Sequence, residues 1–185
     1  MLIPKMVKGI FLTEMKGRFK AIVKINGKEI LCYMPSSSKL GTLIDLPGKT
    51  TFLVPIKKNH SNFPYLVYAI RYKNSYALLY LQELNMIVEN SLKRRQFDFL
   101  GVRTSIVREK LIAGYKSDLY VQDTKTLVEI KSILSFSKMA IFPSVHSDRA
   151  IEQLKKLRQL LEQGYNVYYF LISMYTSVEE VYLNC

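Results

Sequence analysis

Two acids and an amine stand close together in the stretch KSDLYVQDTKTLVEIKS, residues 116–132: Asp118, Glu129 and Lys131. Two carboxylates suit a hard divalent cation. Mg²⁺ takes one or two of them and completes its octahedron with water and phosphate oxygens. A cation held in that way polarises a phosphodiester and acidifies a bound water. A lysine two residues from a ligand carboxylate can orient that water or offset developing charge. The plainer alternative is a solvated hairpin face with one cross-strand ion pair, worth ~0–1 kcal/mol. The pattern D…ExK is short and common, and its spacing alone favours the plainer alternative.

The elements that must position these groups are two strands. Gln122-Asp123-Thr124-Lys125 is a polar turn flanked by β-prone residues, the pattern of a β-hairpin. If Gln122 pairs with Lys125, Leu119 faces Val128 and Val121 faces Thr126. Side chains alternate along a strand, so Leu119, Val121, Val128 and Ile130 share one face. The other face then collects Asp118, Tyr120, Glu129 and Lys131. A slip of one residue would turn half the apolar set to water, so packing specifies the register.

Charge points to a partner. The chain of 185 residues carries 27 basic and 15 acidic side chains, a net +12. Residues 1–75 hold 13 Lys/Arg against 3 Asp/Glu, whereas residues 76–185 hold 14 against 12. An asymmetry of this size predicts a polyanion, most commonly nucleic acid, bound to the first part of the chain. At 49% apolar residues the chain can build a core. Cys32 and Cys185 form neither a disulfide framework nor a zinc pattern, which fits a reducing cytoplasm. The longest nearly apolar runs fall far short of the ~18 residues of a membrane span, and MLIPKMVKG lacks the apolar core of a signal peptide.

Residues 1–75 read as all-β. Arg18–Ile25 and Lys28–Met34 flank Asn26-Gly27, the strongest short hairpin signal. Further strands are expected at Gly9–Met15, Thr50–Val54 and Tyr65–Arg71. Five short strands in this length predict a small barrel. Its lysines, with Phe11, Phe19 and Tyr33 beside them, fit a groove that stacks bases and tracks a backbone, or else core aromatics under a basic coat. Pro55–Pro64 is a basic loop. Tyr76–Leu81 continues the sheet or leads into a helix over Glu83–Arg95, where Lys93-Arg94-Arg95 suits the negative helix end. Ile133–Phe142 reads as an irregular connection. A second helix starts at the cap Ser147 and ends at Gly164, with Ile151, Leu154, Leu157 and Leu161 as its apolar stripe. Asn166–Met174 is expected as a buried strand and Glu180–Leu183 as an edge strand.

The order helix, Glu, strand with Asp, strand with Glu-x-Lys, helix with Gln resembles a PD-(D/E)xK nuclease core. More narrowly, the chain resembles the sugar fermentation stimulation protein A family. Arg18-Phe19, Cys32-Tyr33-Met34-Pro35 and Leu46-Pro47-Gly48 match its first domain. Lys116-Ser117-Asp118, Glu129-Ile130-Lys131-Ser132 and Phe142-Pro143 with Ser147-Asp148-Arg149 and Leu154 match its second. The chain departs from the family at Ser36-Ser37-Ser38, at Ser144 and across Ala150–Gln153, which leaves Glu152 and Gln153 without an assigned role.

The resemblance implies an amino-terminal five-stranded OB-like β-barrel, residues 1–75, followed by a mixed α/β PD-(D/E)xK nuclease-like domain, residues 76–185. It implies DNA rather than RNA as partner and Mg²⁺ or Mn²⁺ as cofactor. Asp118 and Glu129, with Glu109 helping, would bind the metal, and Lys131 would position water. Arg18, Lys20, Lys39, Lys57, Lys58 and Arg149 are the expected nucleic-acid contacts. The expected activity is hydrolysis of phosphodiester bonds. The alternative is a non-catalytic DNA-binding regulator of sugar metabolism genes with the same fold. A homodimer through the exposed edge at Val181–Leu183 is a further possibility.

Overall fold

The computed structural model describes residues 5–15, 19–35, 44–56, 62–94, 96–97, 105–144 and 147–184, without the side chain of Gln82. The first six strands are β1 (Val7–Glu14), β2 (Lys20–Ile25), β3 (Lys28–Tyr33), β4 (Thr50–Pro55), β5 (Tyr65–Tyr72) and β6 (Ser75–Leu78). They pair in the order β3-β2-β1-β4-β5-β6. A parallel contact between β3 and β5, Tyr33 beside Leu66, closes β1–β5 into the five-stranded barrel. The β2–β3 hairpin turns at Asn26 and Gly27, both with positive φ (48° and 82°), as a two-residue primed turn requires. The sheet continues through β6 rather than passing straight into a helix.

Phe11, Val23, Leu53, Val67 and Ile70 fill the barrel core. Phe11 is fully buried, so it belongs to the core and not to a base-stacking surface. Phe19 and Tyr33 remain at the surface side, their rings 6.0 Å apart, and Phe63 continues the row 5.9 Å from Tyr33. Cys32 is fully buried, and burial pushes its thiol up to about 12. Gly9 lies in β1 where a Cβ would stand 2.5 Å from Val23 Cγ1 and 3.1 Å from both Leu53 Cδ1 and the Lys24 carbonyl. Overpacking of this kind costs about 1–3 kcal/mol. Gly9→Ala should therefore lower the urea midpoint of unfolding by a corresponding amount. An unchanged midpoint would mean that β1 has room the structure does not show.

The remaining elements are α1 (Leu84–Lys93), β7 (Ile106–Arg108), β8 (Leu111–Ile112), β9 (Tyr115–Lys116), β10 (Leu119–Val121), β11 (Thr126–Ile133), β12 (Met139–Phe142), α2 (Asp148–Glu162), β13 (Asn166–Ser173) and β14 (Glu180–Leu183). A four-stranded sheet runs in the order β13-β11-β10-β7. Two compact units result, and neither is one continuous stretch. The first holds Met1–Leu81 with Leu134–Ile141 and Ser173–Tyr182; the second holds Gln82–Ile133, Phe142–Ile172 and Leu183–Cys185. Tyr175, 2% exposed, belongs to the barrel core and bridges to Ala77 of β6.

Several sequence expectations change here. Residues 133–142 are not an irregular connection, since β11 runs to Ile133 and β12 pairs with β14. The helix after Ser147 forms as expected, with the Ser147 hydroxyl accepting from the Ala150 N–H, but its stripe is rotated. Leu157 and Leu160 are buried, while Ile151, Leu154 and Leu161 are exposed. Strand β13 is half-buried rather than buried. Among the described residues no helix is long and apolar enough to cross a membrane.

Candidate metal and phosphate site

The hairpin of β10 and β11 has the register that packing demanded: Leu119 opposite Val128 and Val121 opposite Thr126. Leu119, Val121, Val128 and Ile130 are buried together. The opposite face is not solvated. Leu127 is fully buried against Leu157 and Leu160 of α2 and Tyr115 of β9. Glu129, on that same face, is 3% exposed. A strand buried on both sides is what a sheet between two helices needs, and α1 packs on β11 as well.

A carboxylate placed so deep must be hydrogen-bonded. Glu129 Oε2 accepts from the Tyr115 hydroxyl at 2.5 Å, and Oε1 accepts from Lys131 Nζ at 2.5 Å. Lys131 Nζ also donates to Gln153 Oε1 of α2 at 3.3 Å. Asp118 is fixed at both oxygens too. Oδ2 accepts from the Ile130 backbone N–H at 2.8 Å, and Oδ1 accepts from Asn85 Nδ2 of α1 at 3.3 Å. Asp118 thus supplies an acceptor to β11 just beyond the last paired residue of β10.

Asp118, Glu129 and Lys131 line one cavity of about 450 Å³ with Arg149, Glu152 and Gln153 of α2. Lys116, Lys156 and Glu109 also border it. Glu109 is exposed and pairs with Lys116 at 2.5 Å, and that hydrogen bond holds its carboxyl below the usual range. Lys155, outside the cavity lining, does the same for Glu152.

Two phenols register the charge at the cavity floor. Burial, then the hydrogen bond to Glu129, then the charges of Glu129 and Asp118 hold Tyr115 well above the ordinary phenol value. Burial and the same two carboxylates push Tyr169 of β13 up to about 12. Both therefore stay protonated at neutral pH, and Tyr115 keeps its proton to donate.

Behind the site, Glu89 of α1 is buried and receives Lys93 Nζ and Arg108 Nε of β7. Lys93 thus answers a side chain as well as the helix end. Burial alone would raise the Glu89 carboxyl, but the two hydrogen bonds and charges outweigh it and set the value below 4.5. A depressed folded-state value means that the unfolded chain binds more protons below 4.5. The contribution of Glu89 to stability is therefore complete above that pH and is lost as pH falls through the folded value. Urea midpoints of the parent chain and Glu89→Gln should differ at pH 7 and converge toward pH 3; a constant gap would contradict this.

The structure gathers Asp118, Glu129, Lys131, Glu109 and Arg149 at one place. Lys20 is exposed on β2 of the first unit, beside Tyr33 of β3. Arg18, Lys39, Lys57 and Lys58 lie outside the described residues. Sequence reasoning missed Tyr115, Asn85 and Tyr169. Only Asn85 had a signal, its i,i+4 spacing from Glu89 on one helix face.

Residues 82–185 match the family described as sugar fermentation stimulation protein RE domain. A sugar fermentation stimulation protein homolog of Desulfitobacterium hafniense is 29% identical, over 90% of this chain and 73% of that protein. The homolog of Clostridium kluyveri is 27% identical, over 91% and 74%. Among solved structures, that of Pyrococcus furiosus SfsA in complex with Ca²⁺ is similar at a TM-score of 0.82 and 18% identity, over 99% of this chain and 79% of that one. The architecture is a closed five-stranded barrel joined to a mixed α/β domain with two helices. The chain belongs to the sugar fermentation stimulation protein family.

Proposed function

We propose that this protein is a metal-dependent phosphodiesterase acting on nucleic acid, DNA rather than RNA. The observation that carries the reading is the meeting of Asp118, Glu129 and Lys131 in a cavity bordered by Arg149 and Lys156. Asp118 and Glu129 offer hard oxygens of the kind Mg²⁺ or Mn²⁺ takes. Tyr115 and Tyr169 resist ionisation first because they are buried and then because Glu129 and Asp118 stand near them. The structure of the P. furiosus relative in complex with Ca²⁺ accords with such a cation. When bound there, such an ion would acidify water and offset phosphate charge. In the hydrolysis, a water oxygen bonds phosphorus and the ester P–O bond breaks, leaving a phosphate monoester and an alcohol. Lys131 positions the water, Gln153 and Glu129 hold Lys131, and Arg149 binds a phosphate of the strand beside the one that is cut. Glu109 is a reserve ligand only if it leaves Lys116. The aromatic row Phe19, Tyr33 and Phe63, with Lys20 near it, gives the barrel a surface for bases.

One observation favours the second reading, a DNA-binding regulator without turnover. Both oxygens of Glu129 are already held by Tyr115 and Lys131, and no group of three His, Cys, Asp or Glu side chains converges on a metal position among the described residues. Plasmid and oligonucleotide DNA with Mg²⁺ or Mn²⁺ decide between them. Cleavage by the parent chain, lost in Asp118→Ala and on chelation, supports the phosphodiesterase. DNA binding that ignores metal, with no cleavage of any substrate, would leave the regulator.

A further inference from the structure

The helix α2 crosses the cavity with a regular arrangement of charge. Gln153, which reaches Lys131, lies four residues after Arg149 and three before Lys156. All three line the same cavity, so they share one face of the helix. At 1.5 Å per residue, the cations stand about 6 Å before and about 4.5 Å after Gln153, about 10.5 Å apart along the axis. Other cations of α2 are engaged locally: Lys155 with Glu152 at 2.8 Å, Arg158 with Glu162 at 3.1 Å. Arg149 and Lys156 make no ion pair among the described residues.

Successive phosphates of one strand advance about 3.4 Å along a stacked nucleic acid. A strand less tightly stacked advances further per phosphate, so the span from Arg149 to Lys156 covers at most about three nucleotide steps, with Asp118, Glu129 and Lys131 serving its middle. A site built to take a terminal phosphate needs cations at one end only. We infer that the cavity takes an internal phosphodiester of a strand lying along α2, with Arg149 and Lys156 each holding a flanking phosphate. Lys156 is thereby a binding residue of the same site, and the substrate class is an uninterrupted polynucleotide strand. The inference rests on the phosphodiesterase reading for the word internal, but the two phosphate subsites stand or fall by binding alone.

The experiment has two arms. In the first, affinity for a twelve-nucleotide single-stranded DNA is measured against salt, in chelator, for the parent chain, Arg149→Gln, Lys156→Gln and Arg158→Gln. Each phosphate contact contributes about 0.7 to the slope of log K against log salt on a single strand. Arg149→Gln and Lys156→Gln should each flatten the slope by about that much, and Arg158→Gln should leave it at the parent value. Slopes of Arg149→Gln and Lys156→Gln equal to the parent's would overturn the subsites, whatever the cleavage result. In the second arm, circular single-stranded DNA is offered with Mn²⁺. Nicking of the circle supports an internal phosphodiester, and attack on linear ends with circles left intact overturns it. Reduced slopes without cleavage of any DNA uphold the paired subsites and count against turnover instead.

Discussion

Lys131→Met should reduce phosphodiester cleavage roughly a hundred- to a thousandfold while leaving DNA affinity within about twofold. The range is what removal of one preorganised donor in an active site costs. The ammonium is partly exposed, at 28% of its side chain, and touches two partners, Glu129 Oε1 and Gln153 Oε1. Methionine keeps the stem and removes only the donor. Glu129 retains Tyr115, so the fold should persist, and thermal unfolding provides the check. Single-turnover rates on saturating DNA separate chemistry from binding. If affinity falls a hundredfold and the single-turnover rate holds, Lys131 is a phosphate contact and not a group that positions water.

The second large effect is on stability. Leu127→Ala should cost about 2–5 kcal/mol, the range for a large-to-small change in a closed core. Leu127 has no exposed surface and is enclosed by Leu157 and Leu160 on one side of the hairpin. With Val128 buried on the other side, the strand has little room to relax. A chain of this size has only about 5–15 kcal/mol in total, so the variant should unfold at markedly lower urea. Because α2 carries Gln153 and Arg149, DNA affinity should fall with it. A cost below 1 kcal/mol would mean that α2 closes over the gap.

The hairpin register was legible because one face had four apolar residues and a single way to hide them. The burial of the other face was not, since Leu127 stands there among Tyr120, Glu129 and Lys131. The reason lies in α2. Hydrophobicity alone selects Ile151, Leu154, Leu157 and Leu161 as the inward stripe. The face actually turned inward runs through Ala150, Gln153, Leu157 and Leu160, because its first half covers a polar cavity and only its second half meets the core. A half-buried glutamine serving a lysine looks, in sequence, like a surface residue. Asn85 and Tyr115 escaped for a similar reason: their partners, Asp118 and Glu129, lie on other elements, and the spacing of Asn85 from Glu89 on its own helix does not point to Asp118. The strands of the barrel, in contrast, depend on turn residues such as Asn26-Gly27, which act locally.

The barrel unit includes residues 134–141 and 173–182, and Tyr175 completes its core. During synthesis the ribosome emits β1–β6 first, but the side chain that closes their core arrives about a hundred residues later. At elongation rates of about 5–20 residues per second, the nascent barrel waits several seconds with an apolar opening beside β6. Folding of the first unit is thus tied to synthesis at least as far as Tyr175, and a fragment ending at Leu81 would lack the side chain that fills that opening.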